Sequence, residues 1–502
     1  MRLLRKKTED RPLIDNVKLL KDNIINKYHS FSIEIKATLW FLVCNVLQKG
    51  ISVVTTPIFT RIMTTGEYGT FNVFISWQGI ITAICILTLP WGVYTQGLVK
   101  YDEIKDKFTS VLIGLMTSMC IIWVIIYAST KSVLNRYLGL STALMLVMFV
   151  TIWSSSVIDF WSMKQRIELK YKKLVIVTLI ISILNPTVGI FLVRIMRDKA
   201  VGRALAIALV QMSFAIFLFI QLIKKGKCLY NRALWKYALY FNGQLIPHYL
   251  SQRVLNSADR IMIERMDSLD SAGIYSLAYS VSIIMTMVSM AMSQAISPWV
   301  YKRIKENKIN EIHTVGYPSL IIVAVCNLLL IALAPEIVKL FAPAPYYDAI
   351  WIIPPVAMST FYIFMYGLFA DFEFYYEKMR FMSIATIIVA IINIGLNYVF
   401  IKLFGYYAAG YTTLFCYLCY ASFHYYVMRF ICLKNTEQPY SVKILIVIST
   451  VFTGVGFSIQ MTYNNIVIRY SLLIGMFIVA IIYRKMIAKY VKRIFGARKV
   501  ER

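Results

Sequence analysis

The stretch LVIVTLIISILNPTVGIFLVRIMRDKAVGRALAIALVQMSFAIFLFIQLI, from Leu174 to Ile223, decides the fold class. It holds two apolar runs, 174–196 and 200–223, separated only by Arg197, Asp198 and Lys199. One helical crossing of a bilayer needs about 20 apolar residues, and three charged residues are enough to turn the chain at a membrane surface. The stretch therefore predicts a helical hairpin in lipid. Exposed backbone cannot cross hydrocarbon, which leaves helices or a closed barrel. Barrel strands would alternate over about 10 residues instead of running solidly apolar.

The same rhythm continues in both directions. Apolar spans are expected at 38–60, 73–97, 108–129, 140–163, 174–196, 200–223, 241–263, 274–298, 314–336, 349–370, 381–403, 406–428, 442–460 and 466–484, a count of twelve to fourteen crossings. Composition agrees. Of 502 residues, 59% are hydrophobic and 16% charged, with a mean hydropathy of +0.65, whereas a soluble domain carries about 25% charged residues. The formal charge of +28 would suit a nucleic-acid binder only on a polar surface. This chain has none to offer, and no nucleic-acid partner is expected.

The charge instead reports topology. With the N-terminus inside, inward segments hold about 39 Lys and Arg and outward ones about 12, as the loop-charge rule requires. Both termini are expected in the cytoplasm, with basic loops against anionic lipid. The first thirty-six residues contain no h-region, so no cleavable signal peptide is expected. Weak self-matches near an offset of 208 place Pro90-Trp91 on Pro298-Trp299 and Asn185 on Asn393. They suggest a six-plus-six helix duplication with two extra helices, a plan common in transporters.

Little in the chain could run a reaction. Four histidines, His29, His248, His313 and His424, lie on separate segments, and no long outward loop or Walker-type phosphate loop is present. The eight cysteines fall mostly in apolar runs. Even Cys416-x-x-Cys419 sits in a continuous apolar segment and reads as packing. No cofactor, metal or catalytic residue is expected.

What remains is charge inside the membrane. Lys49 lies near the middle of the first span and Arg253 near the middle of the seventh. A cation there costs about 2.5–3.5 kcal/mol on insertion scales, so each is expected to face a wet cavity. Arg61 and the Asp259-Arg260 pair fall at the outer ends of the same two spans. Pro57 and Pro247 are expected to kink them. Asp159, Asp371 and Glu373, near inner ends, are candidates with Asp259 for ion coupling or gating, against a plainer role as interfacial caps or ion pairs.

Three stretches carry a family resemblance: PIFTRIMTTGEYGTFNVFISW (Pro57 to Trp77), IPHYLSQRVLNSADRIMI (Ile246 to Ile263) followed by AGIYSLAYSVS (Ala272 to Ser282), and IINIGLNYVFIKLFGYYAAGYTTLFCY (Ile391 to Tyr417). They resemble the polysaccharide transporter family, the O-antigen and capsule repeat-unit flippases of the multidrug/oligosaccharidyl-lipid/polysaccharide exporter superfamily. The resemblance implies an all-α membrane protein of about fourteen helices, with two six-helix lobes in a V plus two extra helices. On that plan the chain divides into an N-terminal cytoplasmic segment (1–36), an N-lobe (37–223), a linker (224–240), a C-lobe (241–428), helices 13–14 (429–484) and a basic tail (485–502).

The resemblance further implies alternating access and a substrate, undecaprenyl-diphosphate-linked oligosaccharide, moved from the inner to the outer leaflet of the bacterial cytoplasmic membrane. Its partners would be membrane lipids, a polysaccharide polymerase and glycosyltransferases. The family's cationic cavity would fall here to Lys49 and Arg253, with Arg61 and Arg260 at its rim. The alternatives are a flippase for lipid-linked peptidoglycan precursors, a cation-coupled multidrug extruder and, from the enzyme class, a membrane polysaccharide polymerase or ligase. A drug extruder should place carboxylates deep in its lobes, whereas the deep charges of this sequence are positive.

Overall fold

The computed structural model describes residues 32–432, 438–482 and Arg484. The basic tail and most of the expected N-terminal segment lie outside the described residues. Within them all regular structure is helical. The helices are α1 (Ile33–Ile62), α2 (Thr65–Cys85), α3 (Val93–Lys100), α4 (Lys105–Leu138), α5 (Thr142–Ile167), α6 (Tyr171–Ile195), α7 (Lys199–Gly226) and α8 (Arg232–Met266). They continue as α9 (Leu269–Lys305), α10 (His313–Ala332), α11 (Ala334–Phe341), α12 (Ile353–Tyr375), α13 (Met379–Phe404), α14 (Ala408–Cys432), α15 (Val442–Met461) and α16 (Ile466–Ile482). Every expected span finds a helix. Ten segments among the described residues are long and apolar enough to cross a bilayer.

Local chemistry sets the helix starts. Thr64 and Glu67 cap α2 reciprocally: the Glu67 N–H donates to Thr64 Oγ1 at 3.2 Å and the Thr64 N–H to Glu67 Oε2 at 2.8 Å. Ser141, Asp198, Asn231 and Ser268 each accept an otherwise unpaired N–H at the start of α5, α7, α8 and α9.

The chain breaks elsewhere than at the two prolines. Pro57 and Pro247 both lie inside helices that run on through them. The second span breaks instead, between α2 and α3, where Leu87 and Thr88 take positive φ of 50° and 52°. Broken backbone inside a membrane needs new partners, and Asn242 of α8 supplies them. Its Nδ2 donates to the Leu87 carbonyl at 2.7 Å, and its Oδ1 accepts the Val93 N–H at 2.8 Å. Gly92 is required there, because a Cβ would run into the Asn242 side chain. The proposed repeat is not symmetric at this point: Pro90-Trp91 sits in the break, whereas Pro298-Trp299 sits in continuous α9.

Two helix groups result. In the first, α7 packs on α5 and α6, and α6 on α1; in the second, α14 packs on α12 and α13, α12 on α9, and α13 on α8. They meet where α2 crosses α9 and α8. Near the N-termini of α2 and α9 the crossing brings backbones into contact. A Cβ on Gly69 would overlap the Leu269 carbonyl, and one on Gly273 would overlap the Thr65 carbonyl. Small residues allow such an approach where lipid provides no hydrophobic drive. Thr65 adds a hydrogen bond to Asp270, and Tyr68 packs edge-on against Tyr346 with centroids 5.9 Å apart. We call this end of the bundle, where α2 and α9 touch, the gate end.

In a cysteine-free background, Gly66→Cys with Asp270→Cys should be joined efficiently by a short thiol-reactive linker. Adding Gly69→Leu, an overpacking change of about 1–3 kcal/mol, should cut that yield at least about fivefold. Gly50→Ala, with nothing within 4 Å of its Cβ, should leave the yield unchanged.

Candidate functional site

Helix α8 is long enough to cross a bilayer, yet it is absent from the apolar set. The reason is a polar stripe. Gln252, Arg253 and Asn256 are exposed and Arg260 is half-buried, and their spacing places them along one helix face. The opposite face, with Leu255, Ala258 and Asp259, is buried. Such a stripe is untenable in hydrocarbon and needs a wet or ligand-filled space.

Arg253 is the central member. It makes no ion pair or side-chain hydrogen bond among the described residues, and a Cβ built on Gly79 of α2 would lie 4.0 Å from its Cδ. Across the lobe boundary, Asp159 of α5 lies within electrostatic reach of the Trp91 indole, Arg253 and Arg166. Trp91 is half exposed, at 50%. The chain break, a carboxylate, an indole and an unpaired guanidinium thus lie in one region, where α8 faces the first lobe.

Lys49 is placed elsewhere. Its Nζ donates to Thr286 Oγ1 at 3.1 Å and approaches Met290 Sδ at 3.3 Å, both on α9. The void it lines, with Asn45, Met287 and Gln294, holds about 20 Å³, room for about one water. The two cations have different neighbours: Lys49 bridges α1 to α9, and Arg253 reaches from α8 toward α2 and α5. Arg61 clamps backbone, its guanidinium donating to the Pro57 and Leu340 carbonyls at 2.8 Å each. It ties the end of α1 to α11. Arg260 donates to the Asn256 carbonyl at 3.2 Å and sits 4.6 Å from the Tyr279 ring centroid.

Asp259 does not pair with its neighbour Arg260, since adjacent helix residues point apart. It turns into the second lobe. Its carboxylate accepts Tyr275 OH at 2.6 Å, Asn397 Nδ2 at 2.7 Å and Thr413 Oγ1 at 2.8 Å. Asn397 in turn accepts from Thr412 and contacts Asn393 Oδ1 at 3.3 Å. Asp371 accepts Ser297 Oγ at 2.9 Å and Tyr301 OH at 3.4 Å. Glu373 meets His424 Nδ1 at 2.5 Å, both fully buried.

Sequence reading missed several of these partners. His424, Asn242, Asn393 and Asn397 are fully buried polar residues on apolar helices, a signal visible in the sequence once each is seen to need a partner. Arg203 was also missed; it stacks on Phe59 and Phe71, 3.9 Å from each centroid. All eight cysteines are free. Among the described residues no group of three His, Cys, Asp or Glu side chains converges as a metal site would require.

Comparison with known proteins places this architecture. A family model described as "Polysaccharide biosynthesis protein" matches residues 35–302, and a MatE model matches residues 245–399. The Lsg locus putative protein 1 of Haemophilus influenzae is 24% identical over 173 residues, covering 33% of this chain and 42% of that protein. The match therefore spans less than half of that relative. Among solved structures, the lipid II flippase MurJ in an inward closed conformation superposes with a TM-score of 0.67 at 14% identity, covering 90% of this chain and 100% of that one. A multidrug resistance MATE family transporter in an inward-facing conformation gives 0.61 at 14% identity, over 78% of this chain and 96% of that one. The fold is that of a multi-pass transporter.

Stability should separate the two kinds of charge on α8. Asp259→Ala strands three buried donors and should cost about 3 kcal/mol. Arg253→Ala, exposed and unpaired, should stay within about 0.5 kcal/mol. Thermal unfolding in detergent measures both.

Proposed function

The chain belongs to the polysaccharide biosynthesis protein family, and on that premise we propose that it flips undecaprenyl-diphosphate-linked oligosaccharide repeat units from the inner to the outer leaflet of a bacterial cytoplasmic membrane. The observation that carries this reading is the unpaired Arg253 on the polar stripe of α8, facing the first lobe. An arginine fork suits phosphate oxygens and makes charge-assisted bonds to them. Sugars stay in the wet space while the polyprenyl tail remains in lipid. Residues 37–223 and 241–428 are the two units that rock, and the gate end faces outward, because the basic loops favour both termini in the cytoplasm.

The energetics suit an anion. At about 2.3 kcal/mol per charge per 100 mV, two phosphate charges moving outward with an inside-negative potential gain roughly 4–5 kcal/mol. A cation step is favoured by a separate observation. Oxygens of Asp259, Asn393, Asn397, Thr412 and Thr413 converge in the second lobe. The Asp259 carboxylate is held by three donors here, and a state in which Asn397 swings away would free these oxygens for a monovalent cation. A peptidoglycan-precursor substrate would present the same diphosphate to Arg253 and differs in the headgroup beyond it. Polymerase and glycosyltransferases are the partners that would make and consume the repeat unit.

Purified protein in liposomes with a fluorescent undecaprenyl-diphosphate oligosaccharide should raise quenching from half to nearly complete. Arg253→Ala should slow this at least about tenfold, the scale of one lost charged hydrogen bond, and Arg253→Lys should recover part of it. Quenching fixed at half, with organic cations leaving the liposomes instead, would identify a drug exporter. With voltage clamped, replacing sodium by choline should slow the wild type and leave Asp259→Asn, already slow, unchanged.

A further inference from the structure

Helix α4 does not run straight to its end. Thr130 leaves the helical region, with φ −118° and ψ 18°. Ser129 and Thr130 both turn their hydroxyls onto carbonyls one turn back, those of Ile125 and Ile126, at 3.1 and 2.7 Å. Hydroxyls bonded this way bend helices. The residues beyond, 131–138, form an arm at the gate end, and specific contacts fix it. Tyr127 OH donates to Asn135 Oδ1 at 3.0 Å, and Asn135 Nδ2 donates to Thr142 Oγ1 at 2.8 Å. From the other lobe, Arg265 of α8 donates to the Tyr137 carbonyl. The arm ends at Gly139, whose φ of 67° suits glycine.

Beside the arm lies an open cleft of about 770 Å³, with Trp77, Ser132, Arg136, Tyr137, Ile261 and Arg265 on its walls. Trp77 and Tyr137 have ring centroids 6.4 Å apart, inclined at 52°. Tyr137 is 69% exposed. Arg265 shares its charge with Glu264 at 3.0 Å, whereas Arg136 has no ion pair or hydrogen bond among the described residues. Trp and Tyr also serve a membrane protein as anchors at the headgroup level. These two rings and two guanidinium groups converge on one cleft, and one of its walls belongs to the opposite lobe.

We infer that this cleft is a saccharide station on the gate side, where the headgroup rests with sugar faces against Trp77 and Tyr137 and an anionic group on Arg136. The inference rests on the flippase reading. Pyranose rings present an apolar C–H face that packs on an aromatic ring while their hydroxyls stay hydrated, and Trp and Tyr are suited to such half-wet contacts. The guanidinium takes an oxyanion in a forked bond. That oxyanion is the diphosphate or a sugar carboxylate. Because Ile261 and Arg265 ride on α8, rocking of the lobes changes the cleft, so the station is coupled to the same motion that moves the substrate.

The test uses the full chain in liposomes and a photoreactive group in the glycan. One probe is a neutral oligosaccharide on undecaprenyl diphosphate; the other is a free acidic oligosaccharide without the lipid. Crosslinks should map to Trp77 or to residues 131–138. Trp77→Ala with Tyr137→Ala should lower them about tenfold, a change worth 1.4 kcal/mol, and Trp77→Phe with Tyr137→Phe should retain most of them. Arg136→Gln should weaken the first probe if phosphate is the anion, and the second if a carboxylate is. Wild-type protein that flips the lipid-linked probe without crosslinks at these residues would overturn the station and leave the flippase reading standing. Crosslinks there without flipping would do the reverse.

Discussion

A charged side chain inside a bilayer must be paired, must reach the surface, or must face water, and the organisation of this protein follows from how each charge meets that constraint. Asp259 is surrounded by hydroxyl and amide donors, and Glu373 is met by His424. Lys49 is tied to Thr286. Arg61 and Arg260 rest on backbone carbonyls. Arg253 alone among the residues singled out from the sequence stays exposed and unpartnered, on a helix too polar for lipid. On the proposed reading, the two lobes exist to give that guanidinium a wet space that opens to one leaflet at a time.

The gate end and the chain break are the mechanical counterparts of that site. Gly69 and Gly273 let α2 and α9 touch backbone to backbone. Asn242 meanwhile replaces the hydrogen bonds lost between α2 and α3. It ties the break in the first lobe to α8 of the second, so movement of α8 cannot leave the break unaffected. Trp91, Asp159 and Arg253 then lie near a break in the membrane backbone, the situation in which irregular backbone is tolerated.

Helix class and span positions were legible because they rest on local properties: apolar run length, capping residues such as Thr64 and Asp198, and charge between runs. The site was legible only in part. Arg253 and Asp259 stand out as charges inside apolar runs, but their partners lie far along the chain, and spacing does not say which helix faces which. Lys49 and Arg253 sit at comparable depths in the two halves, yet the contacts of α1 and α8 send them to different neighbours. The helices stay continuous through Pro57 and Pro247, whereas the chain leaves helical geometry at Leu87, Thr88 and Thr130. A proline removes one hydrogen bond that the surrounding packing can absorb, whereas positive φ and hydroxyl back-bonding redirect the chain outright.

The most direct measurement is side-specific labelling of Arg253→Cys in a cysteine-free chain, with the gate end locked by the Gly66→Cys and Asp270→Cys crosslink. A charged, membrane-impermeant thiol reagent should modify residue 253 from the cytoplasmic side and leave it untouched from the outer side. Labelling from the outer side with the gate locked, or from neither side, would contradict a wet space that opens to one leaflet at a time.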